Sequence, residues 1–254
     1  MSIFHRKLTE YPFMDMHCHI LPGIDDGSRS IEETQKMLAI AAKEGCTDII
    51  ATPHFKLGSK NAPPDRIRQM VREINEIAAD YGITLYPGNE IYYCEEIEEL
   101  LNENKVLTLN DTDQVLVEFS PMDPYARIQN GLTHILEIGY TPVLAHIERY
   151  SCMVGQIGDA ERLFDLGVRI QINAGDLLGE LGAPVRKYLE QLLKLEFVDF
   201  IGTDAHRGEH HTKHRGLPPR EPRMKECLNR LYGSKDYHPE YIECISCENI
   251  RELL

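Results

Sequence analysis

Residues 13–27 read Phe-Met-Asp-Met-His-Cys-His-Ile-Leu-Pro-Gly-Ile-Asp-Asp-Gly, and the reading of this stretch decides the fold. Phe13, Met14 and Met16 read as a short buried strand with His17 and His19 at its far end. Residues two apart in a strand share a face, so both imidazoles aim at one spot. Two neutral imidazoles converging on a point are how a protein holds a transition metal. Gly23 and Gly27 let the backbone turn, and Asp25 and Asp26 offer carboxylates near the same spot. A lone His-x-His also describes a strand ending in surface histidines, so the rest of the chain has to decide.

Working outward, strand after strand ends in another ligand type. Asp48–Thr52 runs into Pro53-His54, Ile83–Tyr86 leads to Pro87-Gly-Asn-Glu90, and Gln114–Glu118 ends in a carboxylate. Thr141–Ala145 runs into His146-Ile-Glu-Arg149, Val168–Asn173 ends in an amide, and Phe197–Ile201 precedes Gly202-Thr-Asp204-Ala-His206. Between the strands lie helical patterns. Ser30-Ile-Glu-Glu33 is a capping box, Met37, Leu38, Ile40 and Ala41 continue its apolar stripe, and Gly45 ends it. Pro64 opens a second helix with Ile67, Met70, Val71 and Ile74 on one face. Further helices are predicted at 95–104, 125–138, 157–166, around Val185–Leu193, around Met224–Leu231 and at 249–254. Alternating strands and helices mean a parallel sheet, and seven units predict one α/β domain over residues 1–254, a closed or nearly closed barrel. Barrels carry their chemistry at the carboxyl ends of the strands. The alternative, a doubly wound open sheet, gathers ligands from only two or three strand ends.

Bulk composition narrows the function. A formal charge of −14 leaves no basic face for phosphate backbones or anionic lipid, so neither nucleic-acid binding nor membrane adhesion is expected. No apolar run approaches a membrane span, and the first residues lack the core of a secretory signal. The seven cysteines are odd in number and scattered, which suits a reducing cytoplasm. None is followed six residues later by arginine, so the thiolate loop of cysteine-dependent phosphatases is absent. The Cys244-x-x-Cys247 pair stands alone and reads as packing.

The candidate ligands are His17, His19, Asp26, His54, Glu90, Glu118, His146, Asp204 and His206. Asp25 competes with Asp26, because a local turn role in Asp-Asp-Gly is equally natural for either. Imidazoles and carboxylates without thiolate suit manganese, iron or zinc, and the number of donors suits two or three bridged ions. Such a site lowers the pKa of bound water toward about 7 and clamps both oxygens of a displacement at phosphorus. Hydrolysis of a phosphate ester matches it best. Arginines would grip the phosphate: Arg149 sits three residues beyond His146, and Arg207 and Arg215 both follow the Asp204-Ala-His206 turn.

Eight ordered blocks carry a resemblance. They are His17-Cys-His19, Asp25-Asp-Gly27, Thr52-Pro-His54, Gly88-Asn-Glu90-Ile, Val117-Glu118, Ala145-His146-Ile-Glu-Arg149, Asn173-Ala-Gly175 with Leu178-Gly179, and Thr203-Asp204-Ala-His206. Together, from about Asp15 to Arg215, the chain resembles the PHP (polymerase and histidinol phosphatase) superfamily. Within it, the chain is most similar to the manganese-dependent protein-tyrosine phosphatases of bacterial capsular and exopolysaccharide loci. The resemblance implies a distorted (β/α)7 TIM-like barrel, three metal ions with a bridging hydroxide as nucleophile, and two arginines on the phosphoryl group. It implies phosphotyrosine on a bacterial tyrosine autokinase as the substrate. By motif position it assigns the same nine ligands and Arg149. The chain departs from the pattern after the Asp-x-His turn, where a basic, His-rich spacer intervenes. There Arg215, by its place before the prolines, is the expected second arginine. Two rivals remain: a PHP phosphatase for a small ester such as histidinol phosphate, and a kinase-binding regulator without turnover.

Overall fold

The computed structural model describes residues 12–208 and 220–254. Among the described residues, nine parallel strands alternate with helices: β1 Phe13–Cys18, β2 Cys46–Ala51, β3 His54–Phe55, β4 Thr84–Pro87, β5 Glu90–Tyr92, β6 Gln114–Glu118, β7 Thr141–Leu144, β8 Arg169–Asn173 and β9 Phe200–Gly202. They pair in two sheets, β1-β2-β4 and β3-β5-β6-β7-β8-β9. The two are one surface, because β2 with β3 and β4 with β5 are each a single path with a break. Pro53 has no N–H to give the ladder, so β2 stops before it and β3 resumes beyond. Asn89 fills the second break: its side-chain amide donates to Pro53 O (2.9 Å) and its oxygen accepts from Leu107 N (2.9 Å). Counted this way there are seven strand units. The seam between β9 and β1 is held by Asp204 N donating to His17 O and His19 N to Ala205 O, both 2.8 Å. Below it, buried Asp15 accepts from the backbone and the hydroxyl of Thr203. The result is the distorted, TIM-like α/β barrel.

The helices relevant here are α1 Ile31–Glu44, α2 Pro64–Ala78, α3 Ile97–Asn102, α4 Tyr125–Glu137, α5 Ile157–Asp165, α6 Ala174–Leu177, α7 Ala183–Lys194, α8 Lys225–Tyr232, α9 Pro239–Glu243 and α10 Asn249–Arg251. Ser30 caps α1 through Glu33 N (3.3 Å), but the Glu33 carboxylate reaches back to Arg29 N (2.9 Å), one residue earlier than a capping box requires. Gly45, at φ 100, ends that helix in the left-handed conformation. Along α2, Ile67, Met70, Val71, Ile74 and Ala78 are buried, a 3.6-residue stripe against the outside of the barrel.

Strand side chains divide between two cores. Outward-facing residues such as Phe13, Ile49, Leu85, Val117 and Leu144 pack under the helices. Inward-facing Met14, Met16, Ile50, Leu116, Val143 and Phe200 fill the barrel, and Cys247, Ile250 and Leu253 close its floor. Two expectations shift. The last strand begins at Phe200, not Phe197, because Tyr241 takes both backbone groups of Val198 through its hydroxyl (3.1 and 2.9 Å). The C-terminal tail holds an additional helix, α9, joined to α10 by a π-helical turn, Cys244–Glu248. That turn puts Cys247 in the barrel interior and leaves Cys244 beside Glu248 on the outside. Among the described residues, no helix is long and apolar enough to cross a membrane.

Candidate metal centre

The carboxyl ends of the strands bring the nine expected donors to the mouth of the barrel. His17 and His19, from the end of β1, hold their Nε2 atoms 3.2 Å apart. Glu90 opens β5, and its Oε2 lies 3.2 Å from both Nε2 atoms and 3.0 Å from His54 Nδ1. Asp204 Oδ1 lies 3.6 and 3.4 Å from the same two imidazoles. His146 Nε2 is 2.8 Å from Glu90 Oε1, and Glu118 Oε1 is 3.3 Å from His54 Nδ1. Asp26 Oδ1 joins His54 (3.3 Å) and His206 (3.4 Å). Three sets of donors are close enough to share an ion: His17, His19, Glu90 and Asp204; His19, Asp26, His54 and His206; and His54, Glu90 and Glu118.

Three of the imidazoles are aimed by their other nitrogen. His19 Nδ1 donates to Asp25 Oδ2 (2.8 Å), His17 Nδ1 to Gln171 Oε1 (3.2 Å), and His206 Nδ1 to the Asp204 carbonyl (2.9 Å). Those bonds fix the tautomer and leave Nε2 lone pairs facing one another, the outer-sphere arrangement of metal-ligating histidines. The two aspartates thus separate: Asp25 orients, and also accepts from Gly27 N and His54 N, while Asp26 faces the cluster. Gly27 is required by crowding, since a Cβ there would stand 2.2 Å from the His19 carbonyl oxygen. β8, the strand without a ligand, contributes amides. Gln171 Oε1 also accepts from His146 N (2.7 Å), and Asn173 Nδ2 donates to Asp204 Oδ2 (3.2 Å). His146 (φ 33) and Asp204 (φ 50) both occupy the left-handed region, backbone strain of the kind stored at functional sites.

The electrostatics fit a cation. Glu90 and Asp204 are both fully buried, and Glu90 Oε2, Asp204 Oδ1, His54 Nδ1 and His206 Nε2 find no hydrogen bond among the described residues. Burial opposes their charge, yet the surrounding imidazoles and arginines hold both carboxyls well below the usual range. Burial likewise disfavours charge on His19, yet the carboxylates of Asp204, Asp25 and Glu90 around it push it up to about 10, so a cation bound there would take the place of the second ring proton; burial and the His19 charge drive His206 down to about 4. Buried acceptors left unpaired are costly, and divalent ions satisfy them. No thiolate takes part: Cys18 is buried with its Sγ toward the Ala205 carbonyl.

Two arginines stand at the edge. Arg149 Nη1 lies 2.8 Å from Asp204 Oδ2 and its Nε 3.4 Å from Asp176 Oδ2; Arg220 Nη1 lies 2.6 Å from Asp204 Oδ2. Arg220 was not anticipated; the sequence holds it among the prolines that follow the His-rich spacer, but no motif singles it out. Arg215 and the histidines of the spacer lie outside the described residues. Arg207 is engaged elsewhere, its guanidinium donating to the carbonyls of Gly27 and His206, with Glu33 3.9 Å away. Two clefts meet at the arginine pair. One, of about 580 Å³, is polar and lined by Asn173, Asp176, Arg223 and Asn229 among others. The other, of about 520 Å³, is walled mainly by Pro121, Val154, Leu181 and Val185, with Ser151 and the buried Glu148 also in its lining.

Comparison with known proteins accords with this geometry. Residues 13–254 match the family model for capsular polysaccharide synthesis, CpsB/CapC. The tyrosine-protein phosphatase CpsB of Streptococcus pneumoniae is 33% identical over 87% of this chain and 92% of its own. The tyrosine-protein phosphatase YwqE of Bacillus subtilis is 34% identical over 76% of this chain and 77% of its own. A crystal structure from a study of YwqE and CpsB as metal-dependent tyrosine phosphatases superposes with a TM-score of 0.75. It is 28% identical and covers 88% of this chain and 89% of that one.

Proposed function

The chain belongs to the CpsB/CapC family, and from that premise we propose that it is a manganese-dependent protein-tyrosine phosphatase. Its substrate in this reading is phosphotyrosine on a cytoplasmic bacterial tyrosine autokinase that controls capsular or exopolysaccharide synthesis. One observation carries the proposal: buried, unpartnered carboxylate oxygens and imidazole nitrogens converge beside two arginines.

His17, His19, Asp26, His54, Glu90, Glu118, His146, Asp204 and His206 would hold two or three ions, with Glu90 central to two of the donor sets. Bound there, the ions would supply hydroxide near neutral pH and polarise the phosphoryl oxygens. The protein's own groups do the rest. Arg149 and Arg220 present guanidinium donors from one side, suited to planar bidentate recognition of phosphoryl oxygens. Asp204 holds both arginines in place before substrate arrives, so little side-chain freedom is lost on binding. Asp25 and Gln171 keep the histidine nitrogens aimed, and Asp176 steadies the stem of Arg149.

The test is hydrolysis of a phosphotyrosine peptide after chelation and then with added manganese, alongside His17→Ala and Arg149→Ala. Turnover restored by manganese, abolished in the histidine variant and reduced in the arginine variant, is the expected result. Turnover indifferent to chelator would overturn the metal mechanism.

A further inference from the structure

The arginine pair is the meeting point of two clefts of different character, and that difference assigns a place to the leaving group. We propose that the aromatic ring of the substrate lies in the apolar groove walled by Pro121, Val154, Leu181 and Val185, which makes these residues the determinants of aryl over alkyl phosphates. This rests on the phosphatase reading above and deepens it.

Three observations carry the assignment. First, Arg149 and Arg220 line the groove as well as the polar cleft, so a phosphoryl group held by them has its ester oxygen at the groove's head. Second, the walls come from three separate loops and one helix end. Pro121 follows β6, Val154 precedes α5, Leu181 links α6 to α7, and Val185 lies in the first turn of α7. Apolar side chains from distant parts of the sequence, gathered beside a charged centre, form the usual lining of a ligand site, and a volume near 520 Å³ lies within the usual range for one. Third, the groove is open to an incoming ring: Leu181, in its wall, is 37% exposed. The polar cleft offers an aryl ring nothing comparable. Glu44, Asp176, Arg223 and Glu226 line it, and charged groups lose hydration when a ring displaces their water. That cleft suits the polar backbone of a peptide instead.

Leu181 is exposed and Val185 and Val154 are only partly buried at the edge of the core, so changing the groove removes no fully buried side chain. The experiment compares wild type with Leu181→Ser/Val185→Ser on matched phosphotyrosine and phosphoserine peptides, with manganese present. The expected result is a KM for phosphotyrosine raised about tenfold with kcat nearly unchanged, and a KM for phosphoserine that stays put. Unchanged aryl preference in the double variant would overturn the assignment. So would a phosphotyrosine KM that responds to Asn229→Ala in the polar cleft instead. Calorimetric binding of phenylphosphonate against methylphosphonate reads the same preference without turnover. A wild type that binds both phosphonates equally overturns the groove even if the enzyme is active. A wild type that prefers the phenyl compound but hydrolyses neither peptide supports the groove and overturns the phosphatase reading alone.

Discussion

At the amino ends of its strands the barrel is stopped by Met14, Phe200, Ile250 and Leu253; at the carboxyl ends the same strands present His17, Glu90, His146 and Asp204. The centres of floor and mouth are equally buried, since Ile250 and Glu90 both have no exposed surface, although Asp26 at the rim of the mouth is largely exposed. They differ in what burial costs. An apolar floor gains about 25 cal/mol for each Å² taken from water, so it is stable as it stands. The mouth buries carboxylates and imidazoles whose facing atoms lack partners among the described residues, so its stability depends on what binds there. The sequence spends the stability of one end on the reactivity of the other.

Removing metal is the strongest way to break this symmetry. Chelation is expected to abolish turnover and to lower the melting temperature. Manganese at a hundredfold excess over its Kd should return about 2.7 kcal/mol per site, read as a shift in a thermal unfolding scan. Superimposable melting curves with and without chelator would mean that the mouth is self-sufficient. Glu90→Gln sharpens the point, for it removes the carboxylate shared by two donor sets. It should cost activity by about a thousandfold or more, and it should also lower the stability of the metal-free fold, because the imidazoles of His17, His54 and His146 lose the carboxylate that faces them.

The floor should behave in the opposite manner. Leu253→Ala removes a side chain that is 1% exposed and leaves a cavity, a loss of about 2–5 kcal/mol on denaturant unfolding. Its kcat, measured below the melting transition with saturating manganese, should stay within about twofold of wild type, since packing defects far from the reacting atoms do not change their donors. A large fall in kcat would show that floor and mouth are coupled through the strands.

At the rim, Arg149→Ala and Arg220→Ala are each expected to lower kcat/KM by about a hundred- to a thousandfold, the usual cost of one charge-stabilising donor. Arg207→Ala should cost far less, because that guanidinium serves the Gly27 and His206 carbonyls. Equal losses for Arg207 and Arg220 would remove the distinction between a substrate group and a loop clasp.

What was legible in the sequence follows the same division. The strand ends were readable because a buried strand that finishes in His54, Glu118 or His146 breaks its own apolar pattern. The break needs a reason, and a metal supplies it. Separating Asp26 from Asp25 required three dimensions, since both follow the same turn and only the path of the chain decides which one meets His206. Arg220 stayed hidden because its approach to Asp204 depends on how the chain returns after the barrel closes, which no local period encodes. The floor was half legible. Asn249–Leu254 reads as a helix, but its role as the stopper comes from α9 and the π-helical turn before it, each too short for a periodic signal.

Gln171 is the subtlest test of the mouth, because it touches no reacting group and carries no charge. Its Oε1 accepts from His17 Nδ1 and from His146 N, while its Nε2 donates to the Ile172 carbonyl (2.7 Å) and to Asn173 Oδ1 (2.8 Å). It therefore aims one ligand imidazole and pins the strained backbone of another. Gln171→Met keeps the length and removes both polar ends, so His17 loses the acceptor that keeps its Nε2 free for metal. Outer-sphere partners of this kind typically contribute 10- to 100-fold in metal affinity, and a loss of that size should appear in the manganese concentration needed for half-maximal activity. At saturating manganese kcat should recover to within a few-fold, which separates a positioning residue from one that meets the substrate. Gln171→Glu offers the counter-test: it keeps an acceptor for both groups, so it should retain more manganese affinity than the methionine variant. If the two variants fail equally, the amide acts through packing, and the mouth resembles the floor more than its chemistry suggests.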